Sequence, residues 1–190
     1  MPILNAEPTA YPEDLLLGET TGRSRFGETD REWFVVQTKP RQEKSLARDL
    51  HRTEIPFFLP LTAQMNRIRG KDVQSYIPIF HGYVFLLGDP DERVRALKTN
   101  RITSVLQVYD QELLERELSH FAQLIAAGEP LSVEGSLAPG KRVRVKQGAL
   151  QGLEGVIIQR RGKNRLLVGV TYLQQGVSME INDHLVEPCD

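Results

Sequence analysis

Residues 83–87, with the sequence YVFLL, constrain the fold more than any other stretch of the chain. They are aromatic, β-branched or aliphatic, and a Gly-Asp-Pro turn signal ends them at residues 88–90. Strand side chains alternate between two faces, and a strand that is apolar on both must be covered on both. The protein core covers one face. The other is either a second layer of core or the docking surface of a partner.

The composition predicts a chain with one or two small domains. It has 190 residues, of which 40% are hydrophobic and 26% charged, and a formal net charge of -1. No run approaches the ~20 apolar residues that span a bilayer. The first residues lack the pattern of a secretion signal, and the single Cys189 cannot form an internal disulfide. We therefore expect a cytoplasmic protein that is not wholly basic but can carry local basic patches.

Residues 1–31 read as a disordered N-terminal tail. Prolines, glycines and acidic residues are spread through them, and the only apolar cluster is the leucine triplet at residues 15–17. A docking peptide is the alternative interpretation.

Residues 32–128 predict an α+β domain, an antiparallel sheet with helices packed on it. The predicted elements are strands at 33–37, 55–59, 83–87 and 102–109, a hairpin around a basic tip at 67–72, and helices at 42–52, after Asp89 and before Gly128. The acids and proline at the start of the second helix form a capping signal, and we expect Val94 and Leu97 of that helix to face inward.

Residues 129–136 have no period and read as a flexible linker, after which residues 137–190 change to short strands. About five strands with glycine-rich turns predict a small closed β-barrel. Glycine and β-branched residues favour this barrel over a helical alternative.

Three segments resemble the NusG transcription elongation factors and their specialised paralogues such as RfaH. Residues 33–37 (WFVVQ) resemble the first strand, residues 78–85 (PIFHGYVF) resemble the Phe-Pro-Gly-Tyr-Val segment, and residues 140–156 resemble the KOW motif. His81 stands where the family usually has proline. The resemblance covers about residues 32–187. Residues 55–60, followed by 68–71, are more similar to RfaH-like members.

The resemblance implies a NusG N-terminal domain, a linker and an SH3-like KOW barrel. In the family, the first domain docks on the clamp helices of RNA polymerase and suppresses pausing or termination. The barrel recruits a small ribosomal subunit protein or Rho. The aromatic face of the opening strand then becomes the docking surface, and the polymerase-binding residues are Trp33, Phe80, Tyr83 and Phe85. Val84 and Leu86 remain core.

Basic side chains form the predicted nucleic-acid surface, which the resemblance places near non-template or upstream DNA. Its members are Lys39, Arg41, Lys44, Arg52, Arg67, Arg69 and Lys71. A solvated helix face is the alternative for the first four, and the hairpin tip could instead touch the opposite polymerase pincer.

The predicted partner-binding residues of the barrel are Gly148, Leu150, Gly152, Arg160 and Arg161. Leu150 is apolar at a turn tip where relatives often carry an aromatic residue. A basic stripe along the barrel either binds RNA or is simply solvated, and its members are Arg142, Arg144, Lys146, Arg160, Arg161 and Lys163.

The chain shows no sign of enzyme chemistry. Its four histidines lack metal-ligand spacing, and no nucleophile–base pairing or phosphate-cradling loop stands out. We expect no cofactor, no membrane partner and a monomer. The alternative function is a translation-linked RNA-binding KOW protein, which needs only the barrel.

Overall fold

Thirteen β-strands and three α-helices occur in the residues that the computed structural model describes, which are 8–17, 30–68 and 70–189. The chain divides into two units, residues 1–111 and residues 112–190. None of the helices in the described ranges is long and apolar enough to cross a membrane.

The first unit is an α+β fold, as predicted. Its elements are β1 (Ala10–Tyr11), β2 (Glu32–Thr38), α1 (Glu43–Arg52), β3 (Phe57–Phe58), β4 (Leu61–Ile68), β5 (Lys71–Pro78), β6 (Tyr83–Gly88), α2 (Pro90–Leu97) and β7 (Ile102–Leu106). Five strands form an antiparallel sheet in the order β1-β3-β6-β2-β7. The strands β4 and β5 pair only with each other, as a hairpin.

The alternation of side chains sorts the central strands into two apolar faces. Val36 of β2 and both Val84 and Leu86 of β6 join one buried cluster, together with Leu46 and Leu50 of α1. The two leucines of α1 meet the sheet because residues four apart lie on one helix face. The sequence therefore predicted correctly that residues 84 and 86 belong to the core.

Helix α2 begins where the sequence predicted, but a different face of the helix is buried. Asp89 and Glu92 form a reciprocal capping box, with Pro90 in the first turn. Val94 and Leu97 are 45% and 39% exposed, so the expectation that they face inward was wrong. The buried residues are Glu92 and Ala96. Arg31 holds the Glu92 carboxylate with two hydrogen bonds of 2.9 and 2.7 Å, which requires that face of the helix to point inward.

Residues 8–17 fold onto the sheet, which differs from the predicted disordered tail. Strand β1 pairs with β3, and the amide of Leu59 donates to the carbonyl of Thr9 over 2.6 Å. The Tyr11 ring meets the His51 ring edge-on at 5.0 Å, and Leu15 and Leu16 are buried. Burial of these apolar side chains and the strand pairing supply the order that composition alone does not indicate. Residues 1–7 and 18–29 lie outside the described residues.

The second unit contains a barrel-type sheet, as predicted. Its elements are α3 (Gln111–Ala127, starting at the last residue of the first unit), β8 (Ser132–Glu134), β9 (Lys141–Val145), β10 (Glu154–Arg160), β11 (Lys163–Val170), β12 (Gln175–Glu180) and β13 (Val186–Pro188). The strand order is β13-β9-β10-β11-β12-β8, with every pair antiparallel. Strand β8 lies inside the predicted linker and adds a sixth strand to the five expected.

The division between the units falls before most of α3, whereas the sequence grouped this helix with residues 32–128. The domain boundaries stay a prediction.

Candidate functional site

The second face of the central sheet is a layer of aromatic side chains. Phe85 lies between two other rings, Phe80 at 5.8 Å in an edge-on arrangement and Phe58 at 6.4 Å in a tilted one. Trp33 pairs with Leu87 across β2 and β6, so it lies on the same face as Phe85. Such aromatic arrangements bury large areas and add specific ring contacts.

The accessibility of the four predicted polymerase-binding residues differs. Trp33, Phe80 and Phe85 are buried, and Tyr83 is half-buried. A partner can therefore reach Tyr83 in this conformation, whereas the three buried rings need a rearrangement first. The role of all four in docking stays a prediction.

The turn that presents Tyr83 is held by a carboxylate that the sequence analysis missed. Glu43 of α1 is buried, and its Oε1 accepts a hydrogen bond of 2.7 Å from the amide of Gly82. The carbonyl of Gly82 accepts from the amide of Thr38 over 2.8 Å. Gly82 has a φ of 82°, a left-handed conformation that glycine adopts without strain. His81 is exposed on this turn.

The basic residues that follow β2 do not form one free patch. Lys39 donates to the side chain of Asn100 over 2.9 Å, and Arg52 pairs with Asp49 at 2.9 Å. Arg41 is exposed with a φ of 60°. Lys44 is half-buried. Lys39, Arg41 and Lys44 lie together where β2 leads into α1, while Arg52 lies at the far end of that helix.

Arg101 is a further cation near this junction that the motif analysis did not single out. Its guanidinium donates to Asp49 over 2.6 Å and also to the side chain of Gln42, which precedes α1. These bonds tie the start of β7 to α1. Sequence spacing gives no signal for them, because the partners are more than 50 residues apart.

The hairpin of β4 and β5 combines basic and apolar exposed side chains. Arg67 and Lys71 are exposed at its tip, and the placement of Arg69 lies outside the described residues. Gly70 has the predicted positive φ, at 79°. Met65 is 65% exposed and shares a face with Tyr76 and Arg67 by the register of the strands. Exposed apolar side chains next to cations on one arm are typical of a contact surface.

The KOW-like loop between β9 and β10 forms the glycine-rich turn that the sequence predicted. Gly148 and Gly152 have φ values of 90° and 86°, and the amide of Gly152 donates to the carbonyl of Val145 over 2.9 Å. Leu150 is buried rather than presented at the tip. Arg160 and Arg161 are exposed. Leu150 is therefore in the core in this conformation, and its role as a partner contact stays a prediction.

Acidic partners neutralise most of the basic stripe on the barrel. The pairs within the stripe are Arg142 and Arg144 with Glu154, Arg160 with Glu134, and Lys163 with Glu180. Arg165, outside the stripe, also lies 3.7 Å from Glu180. The hydrogen bond from Arg144 lowers the pKa of the Glu154 carboxyl below its ordinary value. Side chains that are already paired with carboxylates should bind nucleic-acid phosphates less tightly, because phosphate binding competes with these pairs.

A groove in the second unit lies between α3 and the strands β10 and β11. Glu117 of α3 accepts hydrogen bonds from the amide of Thr171 at 3.0 Å and from its hydroxyl at 2.5 Å. His120 lines the same groove, and burial lowers its pKa against the opposing effect of Glu154. No group of three or more metal-ligating side chains occurs among the residues the structure describes.

Comparisons with known proteins identify a domain in the first part of the chain. Residues 31–121 match the family model described as transcription termination factor nusG. No curated protein matches the chain. A solved structure described as the domain interaction in Thermotoga maritima NusG is 15% identical and covers 84% of this chain and 98% of its own, with a TM-score of 0.47. The MjSpt4:Spt5 complex in conformation B is 13% identical and covers 82% and 95%, with a TM-score of 0.24.

Proposed function

We propose that this chain is a NusG-type transcription elongation factor that binds the clamp helices of RNA polymerase and suppresses pausing or termination, because residues 31–121 match the nusG family model. The family match carries this proposal. The factor acts without catalysis or a cofactor, as a cytoplasmic monomer.

The aromatic face of β2 and β6 is the proposed polymerase contact. A helix laid in an apolar groove is a recurring mode of recognition, and a buried aromatic anchor contributes on the order of 2 kcal/mol or more. Tyr83 supports the assignment because it is aromatic, half-buried and presented by the turn that Glu43 holds. Trp33, Phe80 and Phe85 complete the contact once they are uncovered.

The basic side chains of the first unit are proposed to bind nucleic acid next to the polymerase contact. Arg41, Arg67 and Lys71 are exposed, which supports their proposed contacts with phosphates of non-template or upstream DNA. Each phosphate contact should add to the salt dependence of DNA binding.

The barrel is proposed to recruit a protein, either a small ribosomal subunit protein or Rho. The paired arginines of the basic stripe support a protein partner over RNA, since few of these cations are free to meet phosphates. The alternative of a translation-linked RNA-binding KOW protein would require those exposed pairs to exchange carboxylates for phosphates.

A retention experiment tests the proposal. Purified RNA polymerase is immobilised, and three forms of the chain are compared: the full chain, a chain ending at Gly128, and a chain lacking residues 32–128. We expect the first two to be retained and the third to be lost. Retention by the barrel alone would refute the assignment of the contact to the first domain.

Variants then localise the contact. Tyr83→Ala should weaken retention by about tenfold or more, and Tyr83→Phe should keep most of it. Tyr109→Ala is the matched control, since Tyr109 is a largely exposed tyrosine of the same unit and is not one of the four predicted contact residues. Equal losses for Tyr83→Ala and Tyr109→Ala would contradict the docking surface.

We further propose that the factor is an RfaH-like paralogue that acts on particular operons. Genome-wide chromatin immunoprecipitation separates the two cases. A specialised factor should be enriched on few transcription units, whereas a general factor should follow polymerase on most of them.

A further inference from the structure

Strand β8 is a short strand that covers the outer edge of the barrel. Its three residues pair antiparallel with β12, with Ser132 opposite Ser178, Val133 opposite Val177 and Glu134 opposite Gly176. A three-residue strand contributes few ladder bonds, and Val133 is 51% exposed, so apolar burial adds little to its attachment. Polar side-chain contacts supply the rest.

These contacts come from two groups at the edge of the barrel, Ser178, which is buried, and Arg165, which is half-buried. The hydroxyl of Ser178, which is fully buried, donates to the carboxylate of Glu134 over 2.7 Å. The guanidinium of Arg165 donates to the hydroxyl of Ser132 over 2.8 Å and to the hydroxyl and carbonyl of Ser178 over 2.8 and 2.7 Å. Arg160 lies 3.5 Å from Glu134. A buried hydroxyl such as that of Ser178 needs a hydrogen-bond partner.

The partner that they need has a simple chemical description. Residues two apart on a strand share one face, so Ser132 and Glu134 present a hydroxyl and a carboxylate side by side. Any extended segment with a hydroxyl, one intervening residue and an acid can make the same bonds. The two arginines favour an acidic segment, although Glu180 already lies 3.7 Å from Arg165 and moderates that preference.

We propose that the β12 edge is a binding edge for an extended protein segment with the pattern Ser/Thr-x-Glu/Asp, and that β8 occupies this edge in cis. A protein partner binds by displacing β8 and adding its own strand, a known mode of peptide recognition. Displacement also lengthens the linker before β9. The inference rests on the proposed function only in assigning recruitment to the barrel.

The test uses the full chain and a labelled peptide, acetyl-PLSVEGS-amide, which copies residues 130–136. The double variant Ser132→Ala/Glu134→Ala weakens β8 but leaves Ser178 and Arg165 in place. We expect it to bind the peptide at least about tenfold more tightly than the wild type does, because hydrogen bonds to charged groups have this magnitude. Adding Ser178→Ala should remove the gain, and Glu129→Ala alone should leave the wild-type affinity unchanged.

Two results would overturn the inference. One is equal binding of PLSVEGS and the control peptide PLAVAGS to the double variant. The other comes from hydrogen exchange in the wild type, which does not depend on how the variant folds. We expect amides of β8 to exchange at least about tenfold faster than those in the middle of β11, and equal protection would mean that β8 is not displaceable. Loss of polymerase retention would affect the proposed function but neither of these results.

Discussion

Replacing Gly155 with alanine should destabilise the barrel, because this glycine marks a close approach of two strands. A Cβ atom added there would lie 2.6 Å from the carbonyl oxygen of Leu167 and 2.8 Å from Cδ1 of Leu166. Ordinary van der Waals contact begins at 3.4 Å, so the backbone of β11 would have to retreat by 3.4 − 2.6 = 0.8 Å. A leucine side chain can turn away, whereas a backbone oxygen within a sheet cannot.

The expected magnitude follows from two opposing effects. Overpacking of this kind costs about 1–3 kcal/mol, and alanine recovers about 0.4–1 kcal/mol by restricting the unfolded chain. A net loss of about 1–2 kcal/mol corresponds to a fall in Tm of roughly 5–15 °C for a domain of this size. The effect should be confined to the second unit.

The assay is urea unfolding of the full chain, followed by NMR signals of β10 and β11 so that the barrel is read separately. Gly135→Ala is the matched control, because nothing lies within 4 Å of its added Cβ. We expect the control to stay within about 0.5 kcal/mol of the wild type. If Gly155→Ala proved as stable as Gly135→Ala, the close approach would not limit the residue at this position.

Other substitutions test the remaining parts of the structure. Glu92→Ala should cost about 2–4 kcal/mol, because it removes one of the two hydrogen bonds of the capping box and leaves Arg31 without this carboxylate. A loss below 1 kcal/mol in chemical denaturation, roughly the value of a capping contact alone, would contradict a structural ion pair. Phe85→Ala should cost about 3–5 kcal/mol in the same assay, because Phe85 is buried, whereas Tyr83→Ala should stay folded by circular dichroism. Burial lowers the pKa of His120, so the unfolded chain binds more protons between the two pKa values and the second unit should lose stability as pH falls from about 7 to 5. His120→Gln should flatten that dependence, and an unchanged slope would refute it.

The sequence predicted those parts of the fold that depend on local pattern. The alternation in residues 83–87 assigned Val84 and Leu86 to the core, and the acids around Pro90 located the start of α2. Local pattern did not predict which face of α2 is buried. The buried face depends on Arg31, which lies 61 residues from Glu92 in the chain.

Strand β8 and residues 8–17 were not predicted as ordered, because their order also depends on distant parts of the chain. Strand β8 has three residues, too few to show a period, and its pairing partner begins about 40 residues later at Gln175. Leu15 and Leu16 form a cluster with no periodicity, and β1 gains order only through β3. Such elements are specified by the surface that receives them.

The sequence predicted which residue types form the candidate site, but it did not predict how accessible their side chains are to a partner. The aromatic face is where the alternation placed it, yet burial of Trp33 and Phe85 depends on packing that a single strand does not encode. Leu150 is similar: a turn position suggested exposure, and the closed loop of β9 and β10 buries it. The sequence gives no sign that Glu43 holds the turn before Tyr83, because its bond to the amide of Gly82 joins residues 39 positions apart.

The strand order of the two sheets has a consequence for how the chain folds. In the order β1-β3-β6-β2-β7, none of the neighbouring strands follow each other directly in sequence, so every pairing in this sheet closes a long loop. In the other unit, β9 to β12 form a meander of sequential neighbours. Folding rates fall as contacts become less local. During synthesis, β2 cannot complete its pairing until β7 has left the ribosome, whereas β9 to β12 can pair almost as they emerge. The first unit is therefore expected to set the time at which the chain becomes native.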